Sequence, residues 1–323
     1  MVILPWAIIG GLLWAGLFIK PKPVGASVSP PALERRDQFY GLAQLPGGAI
    51  LAAGSNGKIL AIAGDGEVAR RQTPTDKTLQ DIAAWDASHA VAVGNDGVIL
   101  FSTDAGQHWR SASGVPRSQV ANKLNRVRVA AGGLAIAVGE MGALLASHDF
   151  GASWQRLRDE EDVAWNDVAL LGDGRMVVVG EVGRILLSDD AGGHWKEIPP
   201  PVPGSLMSVS FRDASNGVAV GVEGSVLVTR DGGRQWQPVE LGVRDHLFNV
   251  LWDAGRNQWF AVGALGRWVS GSEGANGLSW HSGTLDARDL SWHTGALLSG
   301  PSIWLAGDGI GRWDQQRWSP LKP

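Results

Sequence analysis

Residues 92–109 read A-V-G-N-D-G-V-I-L-F-S-T-D-A-G-Q-H-W, and this stretch decides the fold. A small apolar run ends in Gly94, which opens a G-x-x-G turn closed by Gly97. A second apolar run leads into Ser102-x-Asp104-x-Gly106-x-x-Trp109. Two short apolar runs parted by a glycine-punctuated turn form a hairpin, and tight hairpins require positive φ. In the second signature the Asp carboxylate accepts hydrogen bonds from the amides of its own turn. Gly takes the left-handed position, and Trp folds back over the hairpin.

Outward from this unit, the strand-ending glycine recurs at Gly54, Gly94, Gly139, Gly180, Gly221, Gly263 and Gly307, with spacings of 40, 45, 41, 41, 42 and 44 residues. Six copies keep the G-x-x-G turn, and Gly307-Asp308-Gly309-Ile310-Gly311 departs from it. The Asp box is complete in four copies, centred on Asp104 and Trp109, Asp149 and Trp154, Asp190 and Trp195, and Asp231 and Trp236. The first repeat keeps only Gly64-Asp65-Gly66, the sixth has an insertion before Trp280, and the seventh retains Asp314 and Trp318. A period of about 41 residues fits one four-stranded propeller blade. A blade cannot bury both faces alone, so neighbours must stack into a ring. The expected fold is all-β, a seven-bladed β-propeller of four-stranded antiparallel blades over residues 39–323, with the Asp boxes as structural hairpins. The first and last repeats each own four strands, which leaves the manner of ring closure open.

Composition narrows the function. Forty-five glycines suit a chain that turns often, and sixteen tryptophans against one tyrosine point to a repeated structural role for Trp. A net charge of −4 gives no bulk attraction to nucleic acid. With no cysteine there is no disulfide, thiolate metal site, Cys nucleophile or lipid-modified Cys. Val2 to Ile19 is uncharged and mostly apolar, Lys20-Pro21-Lys22-Pro23 follows, and Val24-Gly25-Ala26 offers a signal-peptidase site. Residues 1–26 therefore read as a signal peptide or N-terminal membrane anchor, and residues 27–38 as a linker. The expected location is exported, periplasmic or lumenal.

The paired signature x-V-G-x-x-G-x-L-x-x-S-x-D-x-G-x-x-W, as in Ala92 to Trp109 and Val179 to Trp195, resembles the photosystem II stability/assembly factor family. That family belongs to the larger BNR (Asp-box) propeller group, and the resemblance covers about residues 39–323. It implies a non-enzymatic protein that helps assemble membrane complexes. Similar bacterial proteins occur beside resistance–nodulation–division transporters, which implies a transporter accessory role as a second form of the same partner class.

The residues support little chemistry of other kinds. Asp boxes also occur in sialidases and some glucan hydrolases, but sialidases use a Tyr nucleophile and the one tyrosine here is Tyr40 in the first strand. Asp159-Glu160-Glu161-Asp162 reads as a solvated loop between blades. His108, His148 and His194 sit on hairpins of three different blades, and no P-loop or H-E-x-x-H is present. No cofactor, metal or nucleic acid is expected, and the propeller is expected to be monomeric. The alternative is a glycan-binding or glycoside-hydrolysing propeller, which a ring of Trp252, Trp268, Trp292 and Trp304 around the central pocket would favour.

Surface charge supplies the candidate partner face. Asn95-Asp96, Glu140, Glu181 and Glu223 mark the turns of the second to fifth blades. Lys58, Arg267 and Arg312 follow the turns of the first, sixth and seventh, with Arg184 breaking the separation. A basic arc opposite an acidic arc would orient a partner electrostatically. The long connection from Gly114 to Asn125 adds Arg117 and Lys123, with Arg126 and Arg128 just beyond.

Overall fold

The structure, a computed structural model, describes residues 31–322 apart from 65, 275, 276 and 289, together with Ile9, Gly11 and Trp14. Two compact units result, Met1–Pro31 and Ala32–Pro323. In the first, the three described residues are helical, and the rest of the segment expected to be a signal peptide or membrane anchor, with the expected signal-peptidase site, lies outside the described residues. Among the described residues no helix is long and apolar enough to cross a membrane.

The second unit holds seven four-stranded antiparallel sheets, each built of four strands consecutive in sequence. The first blade is Phe39–Gln44, Ile50–Gly54, Ile59–Ile62 and Val68–Arg71. The last is His293–Ser299, Ser302–Gly307, Ile310–Trp313 and Trp318–Pro320. Both ends keep their own four strands, so the ring closes without strand exchange. Face packing replaces it: Phe39, Ile50, Leu60 and Ile62 of the first blade share a core with Ala306 and Ile310 of the last. The second strands of the first five blades are buried throughout, as the small apolar runs ending in glycine require.

The two glycines of each turn do different work. Gly57 and its predecessor Asn56 both have positive φ, the pattern of a type I′ hairpin turn. Gly54 is extended at φ −159, so positive φ is not its reason, contrary to the sequence expectation. A Cβ there would run into the Gln38 carbonyl oxygen, so close approach of the incoming chain demands glycine.

The propeller unit also begins earlier than the linker expectation. Leu33 is buried in the core between first and last blades, and Asp37 is buried beside it.

The Asp boxes close as their chemistry predicts. Asp104 Oδ1 accepts from the Ser102 hydroxyl and the His108 N–H, both at 2.9 Å, and Trp109 Nε1 donates to the Gly106 carbonyl at 3.1 Å. The same closure recurs around Asp149 with Trp154, Asp190 with Trp195, and Asp231 with Trp236. Each tryptophan packs into the seam with the preceding blade, as Trp109 does beside Leu51 and Leu45. Every Asp-box carboxylate is thereby consumed in holding its hairpin.

Candidate functional site

One irregularity repeats in all seven blades and builds the site. In the innermost strand, residue one pairs with the strand-ending glycine, residue three pairs with the next position, and residue two has no partner. This is a β-bulge, which re-aims one side chain out of the sheet alternation. The bulged residues are Tyr40, Gln80, Asn125, Asn166, Met207, Phe248 and Thr294, and all seven line one pocket of about 280 Å³ at the mouth of the central channel.

The mouth has two unlike halves. Met207, Phe248 and Tyr40 make one side apolar, and Trp292 stacks on Tyr40 with centroids 5.6 Å apart. Gln80, Asn125 and Asn166 make the other side polar, with Lys123, Glu140 and Glu181 at its rim. The polar side is locked by its neighbours: Asn125 donates to the Trp165 carbonyl at 3.0 Å and Asn166 to the Leu206 carbonyl at 2.9 Å. Glu140 and Glu181 each accept a backbone N–H at 2.9 Å, from Lys123 and Ala164. Burial first, and Asp308 second, push the Tyr40 hydroxyl above its usual range. It stays a neutral donor, 3.0 Å from Gln38 Oε1.

Arg126 floors the pocket. Its guanidinium crosses the channel from the third blade to donate to the carbonyls of Phe248 and Thr294, at 3.2 and 2.9 Å. Beneath it Arg128 bridges Asp81 at 3.2 Å and Asp167 at 2.9 Å, carboxylates of the flanking blades. Asp167 also accepts from the Ser208 hydroxyl at 2.7 Å, carrying the network into the fifth blade. Two buried carboxylates against two guanidiniums balance the charge of the channel.

The turns and the interblade connections share the face around this mouth. Gly97 N–H donates to the Asn122 carbonyl of one connection and Gly266 N–H to the Ser291 carbonyl of another. On the described propeller residues, the large apolar side chains left exposed are Val120, Val182, Leu265 and Leu290. Val182 and Leu265 stand on turns, Val120 and Leu290 on connections, so all four ring the same face. Val182 holds φ +54, a strained region for a β-branched residue.

The predicted basic arc does not assemble. Lys58 is buried and ion-paired to Asp37 and Glu34, the segment expected to be a linker, so it presents no charge to a partner. Arg267 is held by Asp245 at 2.6 Å. Arg312 lies mid-strand and lines a cleft on the opposite face, toward the Asp boxes. Arg126 and Arg128 are channel residues, for the reason just given. Of the predicted basic set, Arg117 and Lys123 remain on the turn face, exposed and half-buried. The acidic run is neutralised in part by Arg184, 2.6 Å from Glu161. The four tryptophans of the glycan expectation do not form a ring. Trp252 packs at a tilt against Trp259, Trp268 packs on Trp313, Trp304 lies in the closure seam, and Trp292 alone is at the mouth. Among the described residues no His, Cys, Asp or Glu cluster could hold a metal ion.

The bulged ring was missed from sequence because no residue type repeats in it. Its signal is positional: in the first five blades it stands fourteen residues ahead of the strand-ending glycine, as Tyr40 does of Gly54.

Comparison with known proteins agrees with this architecture. The family model described as photosynthesis system II assembly factor YCF48 matches residues 63–200. No curated protein sequence matches. Among solved structures, YCF48 bound to D1 peptide superposes with TM-score 0.69 at 15% identity, covering 84% of this chain and 91% of that one. YCF48 from Cyanidioschyzon merolae gives 0.68 at 14% identity, covering 86% and 95%. The WD40 propeller domain of Doa1 gives 0.69 at 10% identity, covering 85% and 91%.

Proposed function

We propose that this chain is a member of the photosystem II assembly factor-like family of Asp-box propellers, whose model matches residues 63–200, and that it is a non-enzymatic, exported protein that assists assembly, stability or operation of a membrane protein complex. It takes a polypeptide segment of that complex at the mouth of its central channel. The observation that carries this reading is the gathering of Val120, Val182, Leu265 and Leu290 around a half-apolar, half-polar pocket. Exposed apolar side chains collected on one face mark a protein contact surface. Aromatic anchors beside locked polar groups are what an interface centre uses. The D1 peptide held by the solved YCF48 propeller supports a polypeptide ligand for this one. The carboxylates at the mouth are tied to backbone amides and the tyrosine is neutral, which favours binding over hydrolysis.

Affinity capture from detergent-solubilised membranes of the source organism tests this. The wild-type chain should retain a defined membrane protein, and a Leu265→Ser, Leu290→Ser variant should retain at least tenfold less. Equal retention by both, or no membrane protein with either, contradicts the proposal.

A further inference from the structure

The outermost strand of a blade leaves one edge without a partner, and a long, uncharged edge is a template for another strand. Six of the seven blades are guarded against this. Their outermost strands are two to four residues long, and each carries a charge or a proline: Arg71, Arg110, Arg156, Lys196, Pro238 and Pro320. The sixth blade is not. Its insertion lengthens the last hairpin, so that Gly277–Thr284 pairs with Arg267–Gly274 along eight residues. This strand reads G-L-S-W-H-S-G-T, with no proline and no Asp, Glu, Lys or Arg.

Register decides which backbone groups this edge offers. Leu285 N–H donates to the Gly266 carbonyl at 2.9 Å, so hydrogen-bonded pairs fall at every second position from there. Gly283, His281 and Ser279 therefore turn their backbone groups inward, to Trp268, Ser270 and Ser272. Those of Leu278, Trp280, Ser282 and Thr284 point outward, and none has a backbone partner among the described residues. The strand is held firmly in place. Trp280 lies over Gly271, Leu278 and Trp280 pack on the core shared with the fifth blade, and Arg212 of that blade pairs with Glu273 at 2.9 Å. The side chains of Ser279, His281, Ser282 and Thr284 are exposed.

We propose that this edge pairs with the same edge of a second copy of the chain, antiparallel about a two-fold axis at His281, giving a dimer in place of the expected monomer. An axis there uses all four outward residues. Leu278 meets Thr284 of the second copy and Trp280 meets Ser282, so each bulky side chain stands opposite a small one, and each pair exchanges two hydrogen bonds. The strand carries no charge, so two copies meet without the repulsion that like charges across a sheet produce. Two four-stranded blades become one eight-stranded sheet, within the ordinary size of sheets. The contact is the same on both copies and closes at two. The edge lies on the outer rim of the propeller and leaves the channel mouth free, so its failure leaves the proposed function standing, and the reverse holds too.

The chain has no cysteine, so a single introduced one reports on the axis. Residues facing each other between hydrogen-bonded pairs have Cα atoms about 4.5 Å apart, within the roughly 4.4–6.8 Å that a disulfide spans. Full-length His281→Cys, purified in mild detergent and oxidised, should give a cross-linked dimer. Arg110→Cys, on the short outer strand of the second blade, should not. Sedimentation of the wild type should show a concentration-dependent dimer. His281→Glu and His281→Lys each set like charges across the axis and should weaken that dimer about fivefold or more. Mixed in equal amounts, the two variants should associate again. A wild type that stays monomeric overturns the proposal, as does absence of the His281→Cys cross-link. So does a dimer that both charged variants leave intact, and so does a mixture of them that stays apart. A monomeric wild type whose captured partner protein is lost on His281→Glu assigns the edge to that partner and overturns the self-pairing.

Discussion

Arg126 separates the two roles that a basic residue near a binding mouth can have. As a partner contact its loss would spare stability, whereas as the floor of the channel its loss should destabilise the ring. Arg126→Met keeps most of the stem and removes the charge. The side chain is 8% exposed and donates to the Phe248 and Thr294 carbonyls across the channel. Hydrogen bonds from a charged donor are worth about 1.5–3 kcal/mol each, which sets a range of about 3–6 kcal/mol for the two. The freed carbonyls can take water through the mouth, and Asp81 keeps Arg128 and the Val127 N–H, so the lower end, about 3 kcal/mol, is expected. Urea titration should show a lower midpoint with an unchanged slope. Burial raises the Asp81 carboxyl above its ordinary range, opposed by Arg126 and Arg128. Removing Arg126 raises it further, so the penalty should be largest at neutral pH and shrink as pH falls through that raised value. Adding Asp81→Asn to Arg126→Met should recover part of the loss, because it restores the charge balance. A change below about 1 kcal/mol, independent of pH, would refute the assignment.

Three further outcomes follow from the same geometry. Lys58→Met should lower stability by about 3–5 kcal/mol in a thermal melt, because Asp37 is left buried and unpaired; an exposed basic arc would predict no change. Val182→Gly should raise stability by up to about 1 kcal/mol in urea titration, since glycine relieves the left-handed φ of an exposed valine at some cost in chain entropy. It should weaken partner capture at the same time, because it removes an apolar side chain from the turn face. The carboxyl groups of Asp104 and Asp190 are held down to about 2, the first chiefly by the His108 N–H and the second chiefly by the His194 ring. Depressed values stabilise the fold above the unfolded value of about 3.8 and lose that contribution as pH falls toward about 2. Urea midpoints at pH 4, 3 and 2 should fall less steeply in Asp104→Asn than in the wild type.

What was legible in the sequence is what local backbone chemistry dictates. Gly57 is readable because a type I′ turn needs positive φ, and Asp104 with Trp109 because the hairpin closes on itself within eight residues. The count of blades follows from repeating these local signals. Lys58 shows where local reading ends. Its place after a turn suggested an exposed charge, but Glu34 and Asp37, outside the repeat, fold back to bury it. Arg126 and Arg128 look like a basic loop margin, yet the third blade points them at carboxylates and carbonyls of other blades. The mouth was hidden for a different reason. A β-bulge is a property of register between strands, so Gln80, Met207 and Phe248 share a position without sharing any chemistry.

Site-specific photocrosslinking tests the central claim most directly. A benzophenone amino acid is placed at position 248, on the bulged ring, or at position 103, on an exposed Asp-box turn of the opposite face, and the chain is irradiated with membranes of the source organism. The account predicts one dominant adduct with a membrane protein from position 248 and little from position 103. Equal adducts from both positions, or an adduct with that protein from position 103 alone, would contradict it.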